Sequence, residues 1–278
     1  MSESAAGRQY FGIDLAWGEG SATKPANETG LVHIDDTGRV VNAGWARGIR
    51  EVADWVLQLA KPGDVVAVDA PLVVYNATGM RECEREVGQR YGRWKVSANA
   101  SNLGMAALGG VTLRLLLEDG GFTYVDGTKP PAAEEISFFE CYPHTTLVGA
   151  VELGYELERP RYKRMDPALP TADRRAARAV ECDELIRRMV LLSGAEPSLD
   201  LTSHEVTALL IDEASPLTDR EYKHREDLLD GALCAWTAAL WARFGDERCQ
   251  VLGLGAAADE GGRRPTLIAA ARVEQRRP

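Results

Sequence analysis

The stretch YFGIDLAW, residues 10–17, decides how the rest of the chain is read. Phe11, Ile13, Leu15 and Trp17 alternate with Tyr10, Gly12, Asp14 and Ala16, which is the period-two pattern of a β-strand. A carboxylate, Asp14, is set inside that strand among small neighbours. Residues 30–34 and 40–45 read as two more strands, joined by the turn sequence Asp35-Asp36-Thr37-Gly38. Residues 49–60 follow with Val52, Trp55, Val56 and Leu59 at helical spacing, and Pro62-Gly63-Asp64 ends that helix. The run Val65-Val66-Ala67-Val68 is continuously apolar, as expected of a parallel strand buried on both faces. Three hairpin-connected strands, a helix and a parallel strand make an α/β chain with a mixed sheet.

Beyond Val68 the pattern becomes less regular. A polar, Gly-rich insertion at about 73–135 holds predicted helices at 81–89 and 111–118. Residues 136–142 form a fifth strand, closed by Pro143. A second insertion, about 155–215, contains a basic helical region near 171–193 and a shorter helix near 203–214. A strong helix at 226–244 and short strands at 251–254 and 266–271 complete the chain. No repeat, low-complexity tract or clear linker interrupts it, so residues 1–278 read as one domain with insertions.

The bulk properties exclude several classes. Hydrophobic residues make up 45% and charged residues 27%, the balance of an ordinary globular protein. The N-terminal MSESAAGRQ lacks an apolar signal core, and no stretch approaches the ~20 apolar residues of a membrane helix. Cys83, Cys141, Cys182, Cys234 and Cys249 are odd in number, widely spaced and without a CxxC pair. That argues against a disulfide framework or zinc site, and the expected location is a reducing cytoplasm. The net charge of −10 disfavours coating nucleic acid by bulk attraction. Basic residues nevertheless cluster at 81–95 and again at 159–178, where seven stand against Asp166 and Asp173. Local basic patches on an acidic protein suit a specific anionic substrate.

Four acids occupy positions where an unpaired charge is unfavourable. Asp14 lies in the first strand, Asp69 ends VVAVD, Glu140 sits within ISFFECY, and Asp230 lies in the helix DLLDGALCAWTAALW with Asp227 three residues before it. Each has a plain explanation taken alone: a turn contact for Asp14, a loop cap for Asp69, an arginine partner for Glu140, the helix dipole for Asp227. Asp230 resists such a reading, because a like-charged neighbour at this spacing destabilises a helix. If the first, fourth and fifth strands are neighbours, these acids converge with the helix crossing them. A hard divalent cation, Mg²⁺ or Mn²⁺, then relieves their repulsion. Two such ions about 4 Å apart can activate water and stabilise a leaving oxygen in phosphodiester hydrolysis.

The motifs GIDLAW (12–17), VAVDAPL (66–72), RECERE (81–86), FECYPH (139–144) and DLLDGALCAWTA (227–238), in this order and spacing, resemble the domain of unknown function 429 family. That resemblance implies a predicted nuclease of ribonuclease H-like fold, with a mixed five-stranded sheet flanked by helices. It implies metal-binding acids at Asp14, Asp69 and Asp230, with Asp227 as rival to Asp230. Glu140 would be an added ligand or substrate contact. Many nucleases of this fold carry glutamate where this chain has Asp69, which leaves the number of metal ions open.

Arg81, His144, Lys163 and Lys223 are the candidate substrate-phosphate contacts, while Trp236 and Trp241 have the spacing of core residues. The leading expectation is a metal-dependent nuclease acting on nucleic acid or a smaller phosphate ester. The rivals are a phosphotransferase or ATPase of actin-like kinase type, echoed faintly by Gly18-Glu19-Gly20, and a non-catalytic binding module on the same fold. No membrane partner is expected, and a homodimer is compatible with the sequence.

Overall fold

The alternation in YFGID is realised as the central strand of a six-stranded sheet. The computed structural model describes residues 7–20, 23 and 25–276. Strand β1 is Tyr10–Asp14, followed by β2 (Glu28–Ile34), β3 (Val40–Arg47), helix α1 (Ile49–Leu59) and β4 (Val65–Val68). The first insertion contributes α2 (Glu82–Tyr91), α3 (Gly109–Asp119) and the two-residue β5 (Thr123–Tyr124). Then come β6 (Ser137–Glu140), α4 (Pro143–Gly149), α5 (Thr171–Val190), α6 (Glu205–Asp212), α7 (Asp219–Phe244), β7 (Cys249–Leu252) and β8 (Leu267–Ala270). The sheet order is β3-β2-β1-β4-β6-β5, with a separate β7-β8 pair. The pairings β3/β2 and β2/β1 are antiparallel, and β1/β4, β4/β6 and β6/β5 are parallel.

The chain is thus α/β, and the first, fourth and fifth expected strands are neighbours. The main sheet has six strands instead of five. The extra one, β5, is two residues long, too short to show any periodicity, and lies inside the insertion. Strand β1 stops at Asp14, three residues earlier than the alternation suggests, because the Ala16 amide donates to the Thr29 hydroxyl (3.0 Å) in place of a ladder carbonyl. Pro143 closes the fifth expected strand and also opens α4 as its first residue, where its missing N–H is no loss. Helix α7 begins at Asp219, two turns before the expected start, with Thr218 Oγ1 donating to Glu221 Oε2 (2.6 Å) in its first turn. No helix among the described residues is long and apolar enough to cross a membrane.

The two faces of the sheet bury different partners. Phe11, Ile13, Val66, Val68 and Phe138 pack against Val52 and Val56 of α1 and Leu113 and Leu117 of α3. Tyr10, Val65, Ala67 and Phe139 pack on the other face against α7, whose Leu233, Trp236 and Trp241 belong to that core as their spacing suggested. Period two along each strand, applied to adjacent strands in register, produces this division.

Helix α7 lies on β1 and β2 at backbone distance, through three glycines. A Cβ on Gly12 would stand 2.0 Å from the Gly231 carbonyl oxygen, and one on Gly30 would stand 1.9 Å from the Asp227 carbonyl oxygen. From the other side, a Cβ on Gly231 would lie 3.0 Å from the Gly30 carbonyl. All these obstacles are backbone and cannot swing aside. Gly12→Ala and Gly30→Ala should each destabilise the protein by about 3 kcal/mol or more in urea unfolding. A loss below about 1 kcal/mol would show that α7 can lift off the sheet.

His33, on β2, is 7% exposed and stacks on Phe11 with ring centres 4.0 Å apart. Its Nε2 donates to Gln9 Oε1, while Nδ1 has no partner among the described residues. Burial lowers its pKa from 6.5 to about 4, against the opposing charge of Asp35. The unfolded chain therefore binds a proton between these values that the folded chain rejects, so stability falls as pH drops from 6.5 toward 4. Between pH 7 and pH 5 the wild type should lose about 2 kcal/mol that His33→Gln does not lose. Parallel pH profiles of the two proteins would refute this account of His33.

Candidate functional site

Strand register carries the first two acids to one place. In the parallel pair β1/β4, Ile13 stands opposite Val68, so Asp14 and Asp69 are the next residue at the C-terminal end of each. The Asp69 amide donates to the Ile13 carbonyl at 2.8 Å, which extends the ladder to this point. Gly12 and Asp14 share the face covered by α7, and Ala67 and Asp69 do likewise one strand over. Helix α7 adds Asp227 and Asp230, three residues apart in the turn that ends at Gly231 and lies against Gly30 of β2. Asp14 is 8% exposed, Asp227 3%, Asp230 fully buried, and Asp69 half-buried. Neither helix acid is near an end of α7, so the helix dipole does not account for them.

Two lysines answer part of this charge. Lys163, from the second insertion, makes an ion pair with Asp230 Oδ2, and the Tyr162 hydroxyl beside it donates to Asp230 Oδ1 at 2.6 Å. Lys223 reaches Asp227 Oδ1 at 2.5 Å and Glu226 Oε1 at 2.8 Å. Asp14 Oδ2 is buried with no hydrogen-bond partner among the described residues. Burial pushes the Asp230 carboxyl up to about 6, Lys163 opposing and Asp14 adding. Burial, then the charge of Asp14, pushes Asp227 up to about 8. Asp69 is raised well above the usual carboxylate range by burial, with Lys163 opposing and Asp14 and Asp230 adding. Burial alone would lower the Lys163 ammonium, but Asp230, Tyr162, Asp14 and Asp69 hold it well above its ordinary value. With the lysines drawn onto the helix acids, no three Asp, Glu, His or Cys side chains among the described residues form a ready metal-ligand set.

Glu140 does not join this group. Val68 and Glu140 are in register on β4 and β6, and Phe138 and Val68 belong to the α1/α3 face, so Glu140 points away from α7. Arg81 grips it with Nη1 to Oε2 at 2.7 Å and Nη2 to Oε1 at 2.6 Å, and the Leu72 amide donates to Oε2 at 3.0 Å. Arg81 in turn binds Glu84 Oε1 through Nε at 2.7 Å, and Glu84 Oε2 accepts from the Arg81 and Ser101 amides. Arg81 is 5% exposed, so it is a buried clamp between α2 and the end of β6, and the expected phosphate contact at this residue is corrected. Burial raises Glu140 from its usual range while Arg81 pulls the other way. A cavity of about 70 Å³ lined by Asp69, Arg81, Glu140, Tyr142 and Trp17 lies between this clamp and the acid group.

His144 is 7% exposed, on the first turn of α4, and faces Tyr162 edge-on with ring centres 5.9 Å apart. The Tyr142 hydroxyl donates its only proton to the Ser97 carbonyl at 3.0 Å, so it accepts from His144 Nδ1 at 3.0 Å. His144 Nε2 is then a lone-pair acceptor, buried and without a partner among the described residues. Burial, followed by the charges of Lys163, Arg159 and Arg164, holds this imidazole well below its ordinary pKa and neutral. Tyr162, Tyr142 and Glu84 are not among the site residues expected from sequence. Of these only Glu84 leaves a signal, its i,i+3 spacing from Arg81.

Breaking the clamp separates a supporting from a chemical role for Glu140. Glu140→Gln leaves Arg81 with one carboxylate partner in the interior and should destabilise the protein by about 3–5 kcal/mol in denaturant unfolding. Unchanged stability would return Glu140 to the list of candidate ligands.

A family model described as "Protein of unknown function (DUF429)" matches residues 12–253, from the start of the first-strand motif to just beyond β7. No curated protein and no solved structure matches the chain. The chain belongs to the DUF429 family.

Proposed function

We propose that this protein is a metal-dependent nuclease of ribonuclease H-like fold, hydrolysing phosphodiester bonds in nucleic acid or a smaller phosphate ester. The observation that carries the reading is the meeting of Asp14 and Asp69, on adjacent parallel strand ends, with Asp227 and Asp230 on the helix covering the same face. What supports the fold assignment is the antiparallel β3-β2-β1 unit continued by parallel β4 and β6, with acids on the first strand, after the fourth, and on the last long helix.

The chemistry of the donors suits a hard divalent cation, with two strand carboxylates and not a full ligand set in place among the described residues. The donors are all carboxylate oxygens, and the buried Asp14 Oδ2 lacks any partner among the described residues, as an oxygen reserved for a cation would. Asp14 and Asp69 would hold Mg²⁺ or Mn²⁺, with Asp230 alongside. Bound there, the cation would polarise water and the scissile phosphate and offset the charge that develops on the leaving oxygen. The protein's own groups do the rest. Tyr162 holds Asp230 in place, and Gly12, Gly30 and Gly231 set the distance between α7 and the strand acids. Arg159 and Arg164 stand close enough to depress His144, and bring positive charge to the edge of an otherwise acidic group where a phosphate would enter. The net charge of −10 favours short or small substrates over long duplexes.

Mn²⁺ titration by calorimetry on the wild type and on Asp14→Asn is the deciding experiment. The wild type should bind Mn²⁺ and cleave labelled single-stranded RNA or DNA, or a chromogenic phosphodiester. Asp14→Asn should stay folded, lose the binding, and cleave about a hundredfold or more slower. A wild type that binds no Mn²⁺, even with an oligonucleotide present, refutes the metallonuclease reading.

A further inference from the structure

The acids on the α7 face fall into two sets that differ in their partners. Asp230 accepts a hydrogen bond from the Tyr162 hydroxyl at Oδ1 and forms an ion pair with the Lys163 ammonium at Oδ2, and Asp227 is held by Lys223. Both of these belong to the helix. Asp14, on the strand side, keeps a buried oxygen with no partner among the described residues, and beside it stands Asp69. Both lysines thus make their ion pairs with helix acids, and the open carboxylate oxygen belongs to the strand.

Lys163 holds this place by construction. It follows Tyr162, which is fully buried and bonded to Asp230, and the Tyr162 carbonyl accepts from the Tyr222 hydroxyl of α7 at 2.5 Å. Two hydrogen bonds to the helix thus fix the residue just before Lys163, and its side chain is only 20% exposed. An ammonium and a divalent cation compete for the same carboxylate oxygens, and an amine delivered by the chain is always present.

We propose that the Lys163 ammonium is a resident cation that occupies the helix-side position of this centre, so that the protein takes a single divalent ion, at Asp14 and Asp69. This inference rests on the metal-dependent reading above and specifies its stoichiometry. Lys163 is then a positioning residue: its ion pair, with the Tyr162 hydrogen bond, holds Asp230 oriented in the place where a second ion would otherwise sit. The chemistry available is that of one cation and one fixed ammonium, not of a symmetric pair of ions.

The test counts Mn²⁺ on the full chain, by calorimetry and by the electron paramagnetic resonance signal of the free ion. Only ions whose binding Asp14→Asn or Asp230→Asn removes are included. The wild type and Lys163→Arg should each take one Mn²⁺ per chain, and Lys163→Met should take two. Two ions on the wild type would overturn the inference while leaving the metal reading intact, and this result does not depend on the folding of Lys163→Met. A folded Lys163→Met that still binds one ion would also overturn it. Binding of no Mn²⁺ by wild type or variants would overturn both the inference and the reading on which it rests.

Discussion

The placement of every group at the centre depends on how closely α7 lies on β1 and β2. Helices and sheets usually pack through side chains, whereas here the helix meets the strands through Gly12, Gly30 and Gly231, with carbonyls where Cβ atoms would be. Close packing of this kind leaves no soft element to absorb an error. It brings the side chains of Asp227 and Asp230 down to the level of Asp14 and Asp69 without lengthening any of them. The same contact buries the carboxylates, and their raised pKa values follow from that burial.

Charge is handled differently on the two faces of the sheet. At the end of β6, where Glu140 points away from α7, Glu140, Arg81 and Glu84 form a closed set in which each group has its partners, anchored further by the Leu72 and Ser101 amides. Such a network fixes geometry and holds the first insertion against the sheet end. On the α7 side the balance is incomplete: acids outnumber the two lysines, and buried lone pairs remain on Asp14 and His144. A fold that completes one buried network and leaves its neighbour open has a reason to do so in binding.

Much of this was readable from residues alone, for physical reasons. Period-two alternation in YFGID and the apolar run VVAV located β1 and β4, and hence the strand acids, because burial patterns are local. The cost of an acid inside α7 singled out Asp230, and the missing side chain at Gly231 signalled a close approach. Glu140 was readable as a strand acid, but its face depends on the register of β6 against β4, set by pairing between residues some seventy positions apart. Arg81 reads from sequence as a substrate-phosphate contact, because only the folded path of α2 turns it inward onto Glu140. Lys163 lies in RPRYKR, a stretch without periodicity, so no local pattern states that it crosses to the helix acids. The two-residue β5 was invisible for want of length.

The glycine contact also sets how this chain can change in length. One residue gained or lost within α7 between Asp227 and the end of the contact would turn the remainder of the helix by about 100°. One acid would then be carried out of the centre and a bulky neighbour driven against the β2 backbone. Helix α7 is thus held in phase with the sheet, as one gear is with another, and only its outer ends can vary. The two insertions are under no such constraint, apart from the few residues, Arg81 in one and Tyr162 and Lys163 in the other, that reach back to the sheet end. A change in length that keeps the centre intact is therefore confined to those two segments and the outer ends of α7, where new surface can be added around an unchanged centre.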